Sequence, residues 1–381
     1  MIFAQVLFWL FLFLILYVYF GYPLLLLILS KLRPAPPVQK ADIIPTISLI
    51  IPAYNEEKVI AAKIENVLAL DYPKGRMEII IASDGSIDST NEIVLRYQDR
   101  GVNLVALEAN RGKSAVENAA VEAAKGEILL FSDATGMYDF SILHRIAQYF
   151  ADQTVGCVAG RPWYRNVEKT VISRGEGFYL KYELFIRTLE SRFGNLISTS
   201  GTALAVRRNI FQPLDDAVGE DFVLPMKTAI KGFRTIYAPE VISTESVTTS
   251  AEGMLKTRVR VTSKDLRGLL LCKEILNPLR HPRYSWGLVS HKLLRWFAPL
   301  FAITVLSINL MLLGTAFYRL TLVLQVGFYL MAFLGYLWKK QGKPPSLLNF
   351  TYIFCLYNFA ALIALGRVIR GKVAGHWETI R

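Results

Sequence analysis

Long apolar runs mark both ends of the chain, and between them short apolar stretches alternate with polar ones. Residues 5–30 contain no charged side chain, and a run of this length crosses about 30 Å of hydrocarbon with some tilt. Its uncharged start is unlike the basic start of a signal peptide, so we interpret it as a retained membrane anchor. Three further apolar runs, at 296–318, 320–338 and 347–365, predict membrane helices near the C-terminal end.

The region between residues 42 and 262 has the pattern of an α/β domain. Four short apolar stretches are each followed by a polar turn, and apolar side chains at helical spacing come after these turns. Strands that are apolar throughout are buried on both faces, which predicts a parallel sheet covered by helices. Ligands of such sheets bind at the carboxyl ends of the strands. The predicted strands are 47–52, 77–82, 102–107 and 127–132.

The composition agrees with a membrane protein. Of the 381 residues, 53% are hydrophobic and 19% are charged, and the mean hydropathy is +0.34. The net charge is +12, but no basic run with interleaved aromatic residues is present, and much of the excess lies between residues 256 and 295. We therefore expect membrane lipids and an anionic substrate as partners, and no nucleic acid. Cys157, Cys272 and Cys355 have no paired spacing, which argues against disulfides and a zinc site.

Basic residues beside the apolar runs indicate the orientation in the membrane. Lys31, Arg33 and Lys40 follow the first run, and positive flanking segments stay in the cytosol, so the α/β domain is expected to be cytosolic. The basic tail at 369–381 conflicts with this rule if all three later runs cross the membrane. Either one late run does not cross, or the tail is an exception to the rule.

Polar side chains follow each predicted strand, at the edge where a ligand would bind. Asn55 and Glu56 follow the first strand, and Asp84 follows the second. Lys113 lies beyond the third strand, and Asp133 follows the fourth. An alternative interpretation is that each Asp or Asn caps the next helix, a position that favours these residues. Asp133 precedes no immediate helix, which favours a binding role for the set.

The tripeptide Gly112-Lys113-Ser114 is also the ending of a phosphate-binding loop of nucleotide hydrolases. That loop needs a glycine five positions before its Gly-Lys pair, and Leu107 occupies this position. The sequence therefore favours another role for the turn, and ATP hydrolysis stays as the alternative.

Six short motifs occur in order between residues 52 and 222: PAYNEE (52–57), SDGSIDST (83–90), NRGKSAVENAA (110–120), FSDATGMYD (131–139), GTALAVRR (201–208) and GEDF (219–222). In this order the chain resembles family 2 glycosyltransferases, and most of all the membrane-bound branch that builds bacterial exopolysaccharides and is related to cellulose, chitin and hyaluronan synthases. The resemblance implies a GT-A-like, Rossmann-like nucleotide-sugar-binding domain with a mostly parallel sheet, inserted between transmembrane helices. It also implies that the Gly-Lys-Ser turn lies against the nucleotide-sugar pocket.

The resemblance assigns donor-binding roles to residues at the strand ends. Asp133 matches the first acidic residue of the DxD motif, which implies a bound Mg²⁺ or Mn²⁺, although Thr135 replaces the second acidic residue. Lys113 is implied to contact phosphate. The implied nucleotide-binding residues are Pro52, Tyr54, Asn55, Glu56, Asp84, Lys113, Ser132 and Asp133.

Further residues are implied on the acceptor side. Asp221 matches the catalytic Asp of the family and would take the proton of the acceptor hydroxyl, with Glu220 as a supporting acid. Alternatively, the two charges stabilise the first turn of a helix, and both roles are compatible. Ser200, Gly201 and Thr202 are implied to close the acceptor side. Direct attack opposite the leaving group would invert the anomeric centre.

Arg258 and Arg260 correspond to a QxxRW segment that contacts the diphosphate and the acceptor in processive synthases. Thr257 and Val261 replace its Gln and Trp, and the indole is the stacking platform for a growing glycan. This departure weakens the likeness to polymer-forming enzymes. The alternative for both arginines is an interfacial helix from which they reach toward the membrane surface.

We therefore expect a multi-pass protein of the cytoplasmic membrane with a cytosolic, metal-dependent, inverting glycosyltransferase domain. It would transfer a sugar from a nucleotide-sugar, expected to be a UDP-sugar, to a glycan or lipid-linked acceptor. The reaction would belong to exopolysaccharide or cell-envelope synthesis. If the product is a polymer, partner proteins for its export are expected. Polyprenyl-phosphate glycosylation, processive synthesis and a non-catalytic nucleotide-binding scaffold are the alternatives. The predicted regions are 1–41 (anchor and linker), 42–262 (glycosyltransferase domain), 263–295 (amphipathic interfacial segment), 296–368 (membrane helices) and 369–381 (basic tail).

Overall fold

An eight-stranded sheet forms the centre of the α/β domain in the computed structural model, which describes residues 1–165, 171–245, 250–338, 345–373 and 375. Most of the predicted basic tail lies outside these residues. The strands are β1 (Ile47–Ala53), β2 (Met77–Asp84), β3 (Val102–Leu107), β4 (Ile128–Phe131), β5 (Met137–Tyr138), β6 (Val155–Tyr164), β7 (Leu204–Arg207) and β8 (Arg234–Glu245).

The four strands predicted from the sequence are confirmed, with small differences at their ends. They are parallel neighbours in the order β3-β2-β1-β4. Ala53 at the end of β1 lies opposite Ser83 in β2, and Ser83 lies opposite Ala106 in β3. Since the carboxyl ends of these strands lie side by side, the turns that follow them meet at one edge of the sheet.

The second half of the sheet is mixed in direction. Strand β7 is antiparallel to both β4 and β6, and the edge strand β5 is antiparallel to β8. Strand β6 is parallel to β8. Among the described residues, four of the seven strand pairs are therefore parallel. The apolar character of a strand shows that it is buried, but it does not give the strand's direction.

Helices cover both faces of the sheet. Those in the described part of the chain are α1 (Ile2–Leu16), α2 (Tyr22–Leu32), α3 (Ile60–Leu68), α4 (Thr90–Leu95), α5 (Lys113–Ala123), α6 (Ile142–Tyr149), α7 (Val171–Phe193), α8 (Glu220–Ile230), α9 (Ala251–Leu271), α10 (Pro282–Leu288), α11 (Leu294–Met311), α12 (Ala316–Trp338) and α13 (Ser346–Ile369). Ile64 of α3 and Ile146 of α6 belong to one hydrophobic core. Val116 of α5 and Phe222 of α8 belong to the other. These buried side chains fix α5 and α8 next to the edge where the turns meet, and each contributes about 1.5–3 kcal/mol.

Four helices in the described residues are long and apolar enough to cross a membrane: Ile2–Leu32, Pro282–Met311, Ala316–Trp338 and Ser346–Ile369. The first two each contain a π-helical turn, at Tyr17–Gly21 and Val289–Leu293. Near the N-terminal end of the chain, Phe8 of α1 packs with Val305 of α11 and Tyr318 of α12. The N-terminal helix is therefore part of the same bundle as the C-terminal ones.

The second apolar helix differs from the predicted run at both ends. It begins at Pro282 because α10, the π-helical turn and α11 join without a break. It ends at Met311, and Ala316 begins the next helix, so the last residues of the run predicted at 296–318 belong to α12. Apolar side chains continue through this turn, which is why composition alone did not reveal it.

Helix α13 packs along α9 in the same direction. Tyr352, early in α13, lies against Met254, early in α9. Ala364, late in α13, shares a core with Leu266, late in α9. Helix α9 itself begins with Ser250, whose side chain accepts a hydrogen bond from the Gly253 amide at 3.1 Å. It runs through residues 262 and 263, where the sequence predicted a boundary between regions.

The backbone after α13 returns to the α/β domain. A Cβ atom placed on Gly112 would lie 2.1 Å from the carbonyl oxygen of Gly375, so the two backbones are in direct contact. Gly112 has a φ of 105°, in the region that favours glycine. The end of α13 thus leads to the turn that precedes α5.

Candidate active site

The Gly-Lys-Ser turn is held by Asp84 at the end of β2. The two carboxylate oxygens of Asp84 accept hydrogen bonds from the backbone amides of Arg111 and Gly112, both at 2.8 Å. A phosphate-binding loop would present such amides to phosphate. Because Asp84 is fully buried and already bonded to them, it fixes the turn that begins α5 and carries Lys113.

The turn after β1 is joined to the turn after β2. Asn55 has a left-handed φ of 53°, a conformation that Asn tolerates, and its Oδ1 accepts a hydrogen bond from the Ile87 amide at 2.9 Å. The Asn55 amide donates to Ser86 Oγ at 3.1 Å. The neighbouring Glu56 is buried, and its amide donates to Thr90 Oγ1 at 2.8 Å. These bonds form one wall of the cleft at the sheet edge.

The remaining predicted donor residues lie on the same wall and floor. Pro52 is buried within β1 opposite Ala82, and Tyr54 next to the turn is partly exposed. Ser132 is buried after β4 and accepts a hydrogen bond from Lys63 Nζ at 2.7 Å. The structure therefore brings the predicted donor-binding residues to one edge of the sheet, although Pro52 and Ser132 are buried there.

The ammonium group of Lys113 is the centre of the site. Its Nζ lies 2.6 Å from Asp133 Oδ1 and 2.6 Å from Glu220 Oε1. Glu117, one helical turn further along α5, is 3.9 Å away. These carboxylates come from α5, from the end of β4 and from the start of α8, so the site joins three separate elements.

The charges around Lys113 shift the pKa values of these groups. Burial opposes the charge of Lys113, but Asp133 and Glu220 outweigh it and raise its pKa well above the usual value. Loss of water contacts would raise the pKa of Asp133, but the charge and hydrogen bond of Lys113 act against this effect, and the pKa of Asp133 is lowered. Burial and the nearby Glu220 raise the pKa of Glu117 well above its usual range. Lys113 is therefore a cation beside the anion of Asp133, and the site disfavours a charge on Glu117.

Glycine is required where the loop before β7 approaches this centre. A Cβ atom on Gly201 would lie 2.4 Å from Glu220 Oε1 and 3.2 Å from Lys113 Nζ. On either side, Ser200 and Thr202 are 3.4 Å apart through their hydroxyl groups, and the Thr202 carbonyl accepts a hydrogen bond from the buried Tyr138. The predicted acceptor loop is thus in contact with the charged centre.

Asp221 is the second residue of α8, beside the same loop. Its backbone carbonyl accepts hydrogen bonds from the amide and the hydroxyl of Thr199, at 3.1 and 2.6 Å. Its side chain is partly exposed, and burial together with the Glu220 charge raises its pKa to about 6. A carboxylate with this pKa is ionised at neutral pH and still accepts a proton readily, as a general base must.

Arg258 and Arg260 lie near different groups. The positive charge of Arg260 contributes to the lowered pKa of Asp133. Arg258 donates a hydrogen bond to the Tyr357 hydroxyl at 3.0 Å, and its guanidinium lies over the rings of Tyr179 and Tyr357. Residues two apart on a helix point to nearly opposite sides, so the two arginines cannot share one contact.

The site also contains groups that the sequence did not indicate. Lys63 of α3 donates to Ser132 and to the backbone carbonyl of Gly136, and burial lowers its pKa to about 7. Asp265 of α9 is buried, and burial raises its pKa to about 8, with a further contribution from Asp221. Glu117 is a further such group, and among them it alone had a signal in the sequence, because it lies four residues after Lys113 on a helix. The others come from distant elements.

The residues present fit a divalent cation that also binds donor diphosphate. Glu245 at the end of β8 has a buried Oε1 without a hydrogen-bond partner among the described residues. A Cβ atom on Gly136 would lie 3.1 Å from this oxygen and 3.5 Å from the Asp133 carbonyl oxygen, so Glu245 borders the loop after Asp133. Burial and the Asp133 charge raise the pKa of Glu245 to about 8, a conflict that a bound cation would relieve.

Two family models match the chain. Residues 48–214 match the model described as glycosyl transferase family 2, and residues 139–362 match that of glycosyl transferase family group 2. The chain belongs to the family 2 glycosyl transferases. The family model that reaches residue 362 includes α9 and most of α13, so the C-terminal apolar helices are part of this resemblance.

Several curated relatives of this glycosyltransferase are similar over part of their length. They include a probable glycosyltransferase, YdaM, of Bacillus subtilis, with 27% identity over 53% of this chain and 51% of the relative. The poly-β-1,6-N-acetyl-D-glucosamine synthase of Staphylococcus epidermidis is 27% identical over 56% and 53%, and an N-acetylglucosaminyltransferase of Mesorhizobium japonicum is 26% identical over 62% and 59%. The matches span about half the length of these relatives.

A solved structure shares the fold along nearly the whole chain. It is a mannosyltransferase, PcManGT, of Pyrobaculum calidifontis, in complex with GDP-Man and Mn²⁺. The TM-score is 0.73 at 22% identity, over 96% of this chain and 99% of that one. The GT-A-like fold with flanking apolar helices, predicted from the sequence, is confirmed.

Proposed function

We propose that this glycosyltransferase moves a sugar from a nucleotide-sugar to an acceptor hydroxyl with inversion at the anomeric carbon. The observation that carries the proposal is the charged centre around Lys113, with Asp221 directly beside it on α8. Lys113, Asp133 and Glu220 make ion pairs at 2.6 Å in a site closed by the Gly201 loop. Such a centre suits a donor that carries negative charge and releases more of it on reaction.

The reaction balances with the residues at this site. The acceptor oxygen attacks the anomeric carbon from the side opposite the diphosphate, and the bond between that carbon and the diphosphate oxygen breaks. Asp221 takes the proton of the attacking hydroxyl, which requires its ionised form. Lys113 and Arg260 stabilise the charge on the departing nucleoside diphosphate. A divalent cation held by Asp133 and Glu245 would add Lewis-acid stabilisation of the same charge.

The donor proposal rests on the relatives and on the site. Two relatives are named for N-acetylglucosamine, which supports an N-acetylglucosamine donor, and we propose UDP as its nucleotide. Glu56 and Asn55 border the part of the cleft away from Lys113, where the nucleoside would lie. Asp84 would act indirectly, because its oxygens are bonded to the Gly-Lys-Ser turn.

We also propose that the protein is embedded in the cytoplasmic membrane with the α/β domain in the cytosol. Four long apolar helices and the basic residues after the first of them support this location. In this arrangement α13 lies along α9 at the membrane surface, because the chain beyond it contacts the turn before α5. Only two of the three C-terminal apolar helices then cross, and the basic tail stays cytosolic.

The test is donor turnover by the detergent-purified protein. Release of nucleoside diphosphate would be measured with UDP-N-acetylglucosamine, other UDP-sugars, GDP-mannose and dTDP-sugars, with Mn²⁺ or Mg²⁺ and with glycan and lipid-linked acceptors. Asp221→Asn is expected to lower turnover by about 10²–10⁴-fold while UDP still binds. Asp99→Asn, an exposed aspartate outside the site, is the matched control and should behave as the wild type.

Two outcomes would contradict parts of the proposal. If wild-type protein binds UDP but turns over no donor with any acceptor, the chain is a nucleotide-binding scaffold. If Asp221→Asn retains full turnover, another group is the base.

A further inference from the structure

The turn that carries Asp133 is held at both ends by one lysine. Lys63 of α3 is fully buried, and its ammonium group donates to Ser132 Oγ at 2.7 Å and to the backbone carbonyl of Gly136. The turn itself is closed by a hydrogen bond from the Gly136 amide to the Asp133 carbonyl at 3.1 Å. Asp133 therefore lies between the two residues that Lys63 contacts.

Lys63 occupies the core at a cost in stability. A buried ammonium group loses its hydration, and the two oxygens to which it donates are neutral. The ring of Tyr138 also lies beside it, with the ring centroid 4.0 Å from Nζ. An apolar side chain of similar length would fill this volume without the loss of hydration. The contacts that the lysine makes with the turn thus explain its presence better than the stability it contributes.

The next turn of α3 holds the far end of the same segment. Asn66 lies three residues after Lys63 and therefore on the same side of the helix. Its side chain bonds both backbone groups of Tyr138, because Nδ2 donates to the carbonyl at 3.0 Å and Oδ1 accepts from the amide at 2.9 Å. Tyr138 also pairs with Ser243 of β8. Its backbone is therefore fixed between α3 and the sheet.

The side chain of Tyr138 connects this segment to the predicted acceptor loop. Its buried hydroxyl donates to the Thr202 carbonyl at 2.7 Å. Thr202 follows Gly201, at which an added Cβ atom would lie 2.4 Å from Glu220 Oε1. The tyrosine thus joins α3 to the loop that approaches the charged centre.

These contacts close a ring around the site. Glu220 pairs with Lys113 at 2.6 Å, and Lys113 pairs with Asp133 at the same distance. Asp133 lies in the turn that Lys63 holds, and from this turn the ring returns through Tyr138 to the loop beside Glu220. A shift of one member of the ring therefore changes the separation between the Asp133 turn and the predicted acceptor loop.

We propose that Lys63, Asn66 and Tyr138 are positioning residues that set the distance between the donor side and the acceptor side of the site. Lys63 and Asn66 hold the segment that carries Asp133, and the Tyr138 hydroxyl holds the loop at 200–202 against it. All three act through the backbone that they hold. This inference rests on the proposed function, because it concerns the alignment of the two substrates of that transfer, for which displacements of about 1 Å are significant.

Loss of the Tyr138 hydroxyl tests the link between the two sides. Tyr138→Phe keeps the ring and the backbone bonds to Asn66, but it loses the bond to the Thr202 carbonyl. Hydrolysis of the donor by water needs only the donor side, whereas transfer also needs an aligned acceptor. We expect the ratio of transfer to hydrolysis to fall by about tenfold, the effect of losing one hydrogen bond.

This ratio is measured with labelled UDP-N-acetylglucosamine, as glycosylated acceptor against free N-acetylglucosamine. The acceptor probes are a soluble N-acetylglucosamine disaccharide and a polyprenyl phosphate, and the one that the wild type glycosylates better is used. Tyr72→Phe is the matched control, because the buried Tyr72 donates to the Pro45 carbonyl at 2.6 Å beside the amino end of β1, at the opposite edge of the sheet. This variant loses the same kind of bond and should keep the wild-type ratio.

A second variant tests the Asp133 turn without an acceptor. Lys63→Met keeps the length of the side chain and loses both hydrogen bonds to the turn. Isothermal titration calorimetry with UDP and Mn²⁺ gives the number of binding sites per molecule, which reports the folded fraction, and the affinity, which reports the arrangement of the site. We expect Lys63→Met to bind UDP about tenfold more weakly, with the wild-type number of sites.

The outcomes separate the inference from the proposed function. If Tyr138→Phe has the same ratio as Tyr72→Phe, or if Lys63→Met binds UDP with wild-type affinity, the inference is overturned, and turnover by the wild type leaves the proposed function standing. A lower number of sites at unchanged affinity in Lys63→Met also overturns it, because the lysine then serves folding. If the wild type turns over no donor, the proposed function fails, and the affinity of Lys63→Met alone decides the inference.

Discussion

Charged side chains at the centre of the site shift the pKa values of neighbouring carboxyl groups in opposite directions. Lys113 keeps Asp133 ionised, whereas Glu220 disfavours a second negative charge on Asp221. The result is a fixed ion pair on the proposed donor side and a carboxylate with a raised pKa on the proposed acceptor side. This division matches the two tasks of a glycosyltransferase, which holds a leaving group and accepts a proton.

The pKa of Asp221 predicts the pH dependence of the reaction. Its carboxylate must be ionised to accept the hydroxyl proton, and its pKa is about 6. We therefore expect kcat/KM to fall as the pH drops through about 6 and to be level above this value until another group titrates. The measurement is the initial rate at low donor concentration across buffers of constant ionic strength. A rate that stays constant down to about pH 5 would exclude Asp221 as the base.

Gly201 offers a test of the close approach between the predicted acceptor loop and Glu220. In Gly201→Ala the added methyl group would lie 2.4 Å from Glu220 Oε1, so the loop or the Glu220–Lys113 pair must move. We expect turnover to fall by about 100-fold, because a displacement of about 1 Å at a reacting centre has effects of this size. Gly314→Ala is the control, since an added Cβ there meets no atom within 4 Å. Wild-type rates in both variants would show that the loop is not part of the site.

The sequence indicated some of these residues and not others for a physical reason. Lys113, Asp133 and Asp221 stand directly after strands or at a helix start, positions that can be identified along the chain. Lys63 and Glu245 enter the site only because α3 and the far end of β8 fold against the loop after β4. Their contacts are set by tertiary packing, which no local pattern records.

At the scale of elements, a buried polar cluster holds α7 against the apolar helices. His291 lies between Glu183 and Glu190, with ring nitrogens 3.1 and 2.6 Å from their carboxylates. Arg295 pairs with Glu183, and the Tyr22 hydroxyl donates to Glu190 at 2.9 Å. The cluster connects α7 to α2 and to the helix that begins at Pro282, and it fixes the α/β domain on the bundle.

Removal of one carboxylate from this cluster should destabilise the protein. Glu183→Gln leaves Arg295 without its buried counter-charge, and breaking a buried ion pair typically costs about 3–5 kcal/mol. The measurement is the unfolding midpoint in detergent, followed by tryptophan fluorescence. Glu65→Gln is the matched control, because Glu65 pairs with Arg100 at the surface, and its midpoint should hardly change. Equal midpoints for the two variants would contradict the claim that this cluster stabilises the packing of α7 on the apolar helices.

The elements were predicted from the sequence with uneven success. The strands β1 to β4 and the helix after Gly112 follow from hydrophobic periodicity and turn residues. The direction of β7 and the course of α13 do not, because both depend on which surface an apolar segment finds in the folded chain. An apolar run of 24 residues has the same composition whether it crosses a membrane or packs along another helix.

On the scale of the whole molecule, the arrangement of α13 supports the proposal that the basic tail is cytosolic. Three crossings after a cytosolic domain would carry the tail to the other side of the membrane. The contact between Gly375 and Gly112 instead brings the backbone just after α13 beside the α/β domain. This contact supports the proposed topology, in which the basic tail is cytosolic, as the positive-inside rule predicts.

This arrangement predicts the side on which the C-terminus lies. A protease-cleavable tag added after Arg381 should be cut in inverted vesicles and protected in intact spheroplasts. A tag before Met1 should show the opposite pattern, because α1 is expected to cross once. Cleavage of the C-terminal tag in intact spheroplasts would mean that all three late helices cross.

The packing of Ala364 and Leu365 into the same core as Val116 and Phe222 has a consequence for biosynthesis. A ribosome makes the strands and their turns long before it reaches the last helix. The core on this face of the sheet therefore stays incomplete until α13 has been synthesised. A nascent chain still attached to the ribosome would have its donor cleft only partly assembled, so premature termination should leave an inactive and protease-sensitive product.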